Sequence, residues 1–170
     1  QENVEEIARP KLGSFDPLAE ATRLFAFLKE ATSVEMLGAR SIPLGKSKLN
    51  GWEGYRLVPV TAADVENPHL ISSLVELRLD ANFPGDGEVT SAGTRSWLKD
   101  HVIEVPERIL FLVQDSIGSI AGHIGLWFRG AATLELDNVV KSSKHEVPWV
   151  MSEATRTLGR WACEFIGVQE

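Results

Sequence analysis

A single cysteine, Cys163, stands in 170 residues, so neither an intrachain disulfide nor a multi-cysteine metal site can form. Cys163 falls at a helical position beside Trp161 and Ala162, with no histidine at a useful spacing, and reads as a small core or boundary residue rather than a reactive thiol. No apolar run approaches the roughly 20 residues needed to span a bilayer. A signal-peptide pattern is also missing: Glu2, Glu5 and Glu6 stand where a basic n-region belongs. An intracellular, cytoplasmic location is the expectation. Basic residues are outnumbered, 17 Lys and Arg against 24 Asp and Glu, for a net charge of −7. That balance argues against nucleic acid and membrane surfaces as partners. Any bound anion must be held locally, by loops and helix ends. His69, His101 and His145 show no metal-ligand spacing, so no metal is expected. No nucleophile triad, phosphate-binding P-loop, internal repeat or low-complexity segment is present.

The chain is long enough for one ordinary domain with a real core. Residues 1–14 are polar and without period, an arm or linker. Asp16-Pro17 opens a helix with Leu18, Ala21, Leu24, Phe25 and Leu28 on one face and Gly38 as its stop, so a helix near 17–37 is expected. Gly38, Pro43, Gly45, Asn50, Gly51 and Gly54 give residues 38–54 a loop-like composition. A boundary is placed there: an N-terminal extension over 1–54, then the main domain over 55–170. Tyr55–Val60 is a strand that Pro59 confines to an edge or a strand end. Thr61 caps the next turn, and Asn67-Pro68 opens a helix that fades near Asp80. A third helix is expected over Ser91–Val102, with Trp97, Leu98 and Val102 inward. Three runs follow at short separation: Ile109–Gln114, Ser119–Phe128 and Thr133–Val140. The first is apolar enough for a central strand, and the short links require antiparallel pairing.

The most informative stretch is Ala132–Val168. A β-prone run (Thr133, Leu134, Leu136, Val139, Val140) leads into a polar loop, Lys141–Trp149. Apolar residues then fall at helical spacing from Val150 to Phe165, and Gly167 stands at the stop. Strand, loop and helix start form an anion-binding shape, because the first helical N–H groups are unpaired and the macrodipole adds positive potential. Lys141 and Lys144 add cationic charge. The same pattern also describes an ordinary αβ unit with a solvated helix start.

The order strand, two helices, three antiparallel strands, helix resembles the GNAT superfamily of acyl-CoA-dependent N-acetyltransferases. The segments that carry the resemblance are RLVPVTAADVE, SWLKDHV…PERILFLVQD, GSIAGHIGL, and LELDNVV with MSEATRTLGRWACEFIGV, over about Tyr55–Glu170. The resemblance implies an α+β fold in αβα layers, a mainly antiparallel mixed sheet flanked by helices. It further implies acetyl-CoA as acyl donor and a small-molecule amine as acceptor. In such enzymes the fourth strand is bulged and its backbone binds the pantetheine arm, here at Asn138, Val139 and Val140. The pyrophosphate sits on the next helix N-terminus, here Trp149, Val150, Met151 and Ser152, with Lys141 in place of the usual arginine. Arg78, Asn82 and Phe83 follow the first long helix, where the superfamily shapes its acceptor pocket.

Two departures stand out. The superfamily's glycine-rich loop is replaced by Lys141–Trp149; no glycine occurs between Gly130 and Gly159, and Glu146 adds negative charge. The sequence also stops near where a fifth strand would begin, so the C-terminal part of the fold, with its tyrosine acid, is expected to be missing. A second domain or subunit would then complete the sheet. Amine acylation needs a base for the ammonium proton and donors for the oxyanion. Glu135 and Asp137, alternating on one face of their strand, are the candidate bases, and they equally suit pairing with Arg129 or Lys141. His123, between Gly122 and Ile124, is a further candidate base or a hydrogen-bonded strand residue. The expected activity is acyl-CoA-dependent N-acyl transfer. The alternative is a non-catalytic GNAT-like module of a larger protein, serving binding or assembly. A plain αβ adaptor without a CoA site is a third option.

Overall fold

The computed structural model describes residues 16–45, 54–81, 88–130 and 133–167. Helix α1 (Pro17–Lys29) begins where Asp16 Oδ1 accepts from the Leu18 N–H at 3.0 Å. It ends well short of residue 37. Ser33 starts a new helix, α2 (Val34–Arg40), by accepting the Met36 N–H at 3.1 Å. Gly38 therefore lies inside α2 and is not a stop; the Ser33 side chain takes a backbone N–H and restarts the helix. A two-residue strand β1 (Ile42–Pro43) pairs with β2 (Arg56–Pro59), inside a stretch expected to be loop. Pro59 closes β2, beyond the reach of β1, as its missing N–H requires.

After a 3₁₀ turn (Ala62–Glu66), Asn67 caps α3 (Pro68–Asp80), its side-chain oxygen accepting from the His69 and Leu70 N–H groups. Helix α4 (Ser91–Leu98) widens into a π turn (Lys99–Ile103). The buried Lys29 ammonium meets the carbonyls at the end of that turn, donating to Val102 at 2.8 Å and Val105 at 2.7 Å. Burial pulls its pKa down to about 8. Strands β3 (Arg108–Gln114), β4 (Ile120–Phe128) and β5 (Leu134–Lys141) complete an antiparallel sheet in the order β1-β2-β3-β4-β5. The β3–β4 turn is held by Asp115 Oδ1, which accepts from Ile117 and Ser119. Helix α5 (Val150–Ile166) follows β5 and ends on left-handed Gly167.

The sheet has a core on each face. Ala21, Phe25 and Leu28 of α1 and Val150, Ala154 and Leu158 of α5 cover Leu57, Phe111, Ile124 and Leu126. Ile71, Leu74 and Leu98 of α3 and α4 cover Val60, Leu110 and Leu112 on the other side. The result is the αβα-layered, antiparallel α+β architecture read from the sequence. Helix α1, which the sequence assigned to an extension, contributes to the same core as α5. Among the described residues no helix is long and apolar enough to cross a membrane.

Candidate functional site

Strand β5 departs from regular pairing opposite Ile124. The register runs Gly125↔Asp137 and then His123↔Val140, so Asn138 and Val139 together face one residue of β4. This is a β-bulge. Asn138 takes φ 50°, a left-handed conformation that asparagine tolerates better than most residues. Two glycines of β4 let the strands close around it. A Cβ on Gly122 would stand 2.3 Å from the Val140 carbonyl oxygen and 2.8 Å from Met151 Sδ; one on Gly125 would stand 2.3 Å from Asp137 Oδ1. Between them, the fully buried His123 places Nδ1 2.6 Å from the Asn138 carbonyl oxygen.

One face of β4 and β5 carries a row of charged and aromatic groups. Glu135, about half exposed, pairs with Arg129 at 3.5 Å. Arg129 and Arg108 each set a guanidinium over the Trp127 ring, at 3.8 and 3.9 Å. Arg108 in turn donates to Asp137 Oδ2 through Nε at 3.2 Å and Nη2 at 2.5 Å, a pair with side chains only 15% and 12% exposed. Beyond Gly125 come His123 and Trp97, ring centroids 6.3 Å apart, and Arg78, which stacks on Trp97 at 4.7 Å and bonds Thr94 Oγ1 at 3.2 Å. Burial, with the Arg78 charge nearby, lowers the His123 pKa to about 4 despite the bond to Asn138, so the ring is neutral near pH 7.

The loop after β5 is tied down. Asp80 accepts from the Ser143 N–H at 2.7 Å and its hydroxyl at 2.6 Å, contacts that hold the Asp80 carboxyl below the usual range. Lys144 pairs with Glu76 at 3.2 Å. His145 lies between the Tyr55 hydroxyl (3.2 Å) and Ser119 Oγ (3.0 Å). At the end of the loop Trp149, 69% exposed, sits at φ 64° and offers no side-chain cap to α5. The helix start is therefore unsatisfied by side chains, the condition under which its N–H groups and dipole favour an anion. A cleft of about 340 Å³ opens there, lined by Lys141, Pro148, Trp149, Val150, Met151 and Ser152.

The structure thus gathers Asn138, Val139 and Val140 at the bulge, with Lys141 and Trp149–Ser152 at the helix start. Glu135, Asp137, His123 and Arg78 lie along or beside the polar row. Asn82 and Phe83 lie outside the described residues. Sequence reasoning missed Arg108, Trp97, Trp127 and Asp80. Arg108 and Asp137 are 29 residues apart and meet only once β3, β4 and β5 pair, which no local pattern signals. Among the described residues no cluster of His, Cys, Asp and Glu would hold a metal.

The bulged strand β5, fourth once the two-residue β1 is set aside, runs into an uncapped helix on an antiparallel sheet covered by α3 and α4 on one face and α5 on the other, a GNAT-like fold. Solved structures share it. A probable acetyltransferase of the GNAT family from Chromobacterium violaceum ATCC 12472 superposes with a TM-score of 0.53 at 19% identity, over 72% of this chain and 64% of that one. A GCN5-related N-acetyltransferase from Brucella melitensis gives a TM-score of 0.50 at 19% identity, over 75% of this chain and 61% of that one. The chain spans less than two thirds of either protein, and at this identity the likeness is one of fold. No protein-family model matches the sequence, and no curated protein does.

Proposed function

We propose that this chain is the acyl-CoA-binding part of an N-acyltransferase that moves an acetyl group from acetyl-CoA to a small-molecule amine. The observation that carries the reading is the left-handed bulge at Asn138, followed by the uncapped start of α5, on a GNAT-like sheet. A bulge turns backbone amide groups out of the ladder, where an extended chain of amides can bond them. Asn138, Val139 and Val140 would hold the pantetheine arm. Lys141 and the N–H groups of Val150, Met151 and Ser152 would hold the pyrophosphate beside Trp149. When bound, acetyl-CoA supplies the acetyl group as an activated thioester. Glu135 is the candidate base, because its ion pair is exposed and loose, whereas Asp137 is locked on Arg108. Arg78, with Asn82 and Phe83, would shape the acceptor pocket. A second domain or subunit beside the open edge of β5 would complete the sheet.

A second reading is favoured by the loop itself. It lacks glycine and is fastened to α3 through Asp80–Ser143 and Glu76–Lys144, which suits a module retained for binding or assembly without catalysis. Calorimetry separates the two. Acetyl-CoA should bind with micromolar Kd and adenosine diphosphate more weakly, the difference reporting the pantetheine arm. Glu135→Gln should then lower kcat with acetyl-CoA affinity unchanged. Absence of acetyl-CoA binding by the folded chain favours the module.

A further inference from the structure

Gly122-His123-Ile124-Gly125 on β4 faces Asp137-Asn138-Val139-Val140-Lys141 on β5, across the place where the β4–β5 register slips. A left-handed asparagine is unfavourable in a strand, so something must hold it there. The contact that does so is at the Asn138 carbonyl, 2.6 Å from His123 Nδ1. A carbonyl only accepts, so Nδ1 carries the proton and donates. Nε2 of the neutral ring is then an acceptor, and it is buried with no hydrogen-bond partner among the described residues. The charged groups felt by the ring are Arg78 and Asp137, and Trp97 lies against it. The missing side chains of Gly122 and Gly125 allow the strands to approach closely enough for the bond.

We propose that His123 is a positioning residue: its Nδ1–H holds the Asn138 carbonyl inward and so keeps the bulge in one conformation before any ligand binds. The groups left facing outward at Asn138–Val140 are then fixed in advance for an acyl-pantetheine chain, a consequence that rests on the acyltransferase reading. Such preorganisation raises affinity by removing the cost of ordering the strand on binding. A bare, buried Nε2 does not have to accept a proton for this role.

Two measurements test the assignment without a ligand. Nitrogen NMR of the labelled chain near pH 7 should find His123 protonated on Nδ1 and bare on Nε2; an Nε2-protonated ring overturns the proposal. The second follows from pH. Unfolded, the imidazole titrates near 6.5; folded, near 4. Between those values the unfolded state binds more protons, so stability is full above 6.5 and is lost as pH falls toward 4. His123→Asn, which does not titrate, should lack that component of the pH dependence; an identical profile in the variant counts against a neutral buried ring.

The ligand test uses the two amide replacements. Asparagine places its amide near the Nδ1 position and glutamine near Nε2. His123→Asn should keep acetyl-CoA affinity within about threefold and His123→Gln should lose about tenfold, with adenosine diphosphate affinity unchanged in both. The opposite order would make Nε2 the working atom and overturn the proposal, as would equal loss of adenosine diphosphate binding. If the wild-type chain does not bind acetyl-CoA, the acyltransferase reading fails, while the tautomer and the pH profile still decide the role of His123.

Discussion

Gly122→Ala is expected to cost about 3 kcal/mol of stability, the upper end for one added methyl group in a packed interior. The reason is that the added carbon has nowhere to go. It would stand 2.3 Å from the Val140 carbonyl oxygen, which is backbone, and 2.8 Å from Met151 Sδ, which could swing away. Relief requires β4 and β5 to part at Gly122↔Lys141 and His123↔Val140, the two pairs on one side of the bulge. A urea melt should show a lower midpoint at unchanged slope. The same parting would pull His123 from the Asn138 carbonyl, so acetyl-CoA binding should fall with stability. A variant within about 0.5 kcal/mol of wild type, the range of an ordinary surface change, would show that the strands are not in contact there.

Asp137→Ala should be nearly as costly, about 2–3 kcal/mol, because it leaves the Arg108 guanidinium mostly buried without its carboxylate. The figure sits below the full range for buried pairs, since Arg108 keeps the His101 carbonyl at 3.0 Å and the Trp127 face. Asp137→Asn should retain more stability, as the amide keeps the shape and one acceptor. The Arg108→Ala, Asp137→Ala double variant should lose less than the sum of the two single changes, as expected for partners in direct contact. Additive losses would mean that the pair contributes nothing as a pair. The comparison also separates structure from chemistry. A folded Asp137→Asn chain that binds acetyl-CoA yet turns nothing over would assign the base to Asp137, whereas retained turnover leaves Glu135 as the candidate.

Periodicity and capping carried most of the fold. Asp16-Pro17, Asn67-Pro68 and the spacing from Val150 to Phe165 each open or fill a helix that the structure contains, and the apolar Ile109–Gln114 run is the middle strand. Local signals failed where two tendencies compete within a few residues. Ser33 recapped the chain before Gly38 could stop it, and a two-residue strand such as β1 has no pattern to read. The resemblance implies a bulge in this strand and pantetheine contacts at Asn138–Val140, but nothing in a linear sequence distinguishes a left-handed Asn138 from an ordinary strand asparagine. What makes it visible is the facing strand, where Gly122, His123 and Gly125 supply the space and the donor. Trp149 in a left-handed helix-capping position has no sequence signal at all.

The site stands or falls on whether an acyl-CoA lies along the bulge and ends on the start of α5. Amide chemical-shift mapping of the isotope-labelled chain during an acetyl-CoA titration tests this residue by residue. The predicted result is saturable shifts at Asn138–Val140 and at Lys141 with Trp149–Ser152, with adenosine diphosphate moving only the second group. Saturable shifts confined to some other face, or none at ligand concentrations well above the micromolar range, would contradict the account.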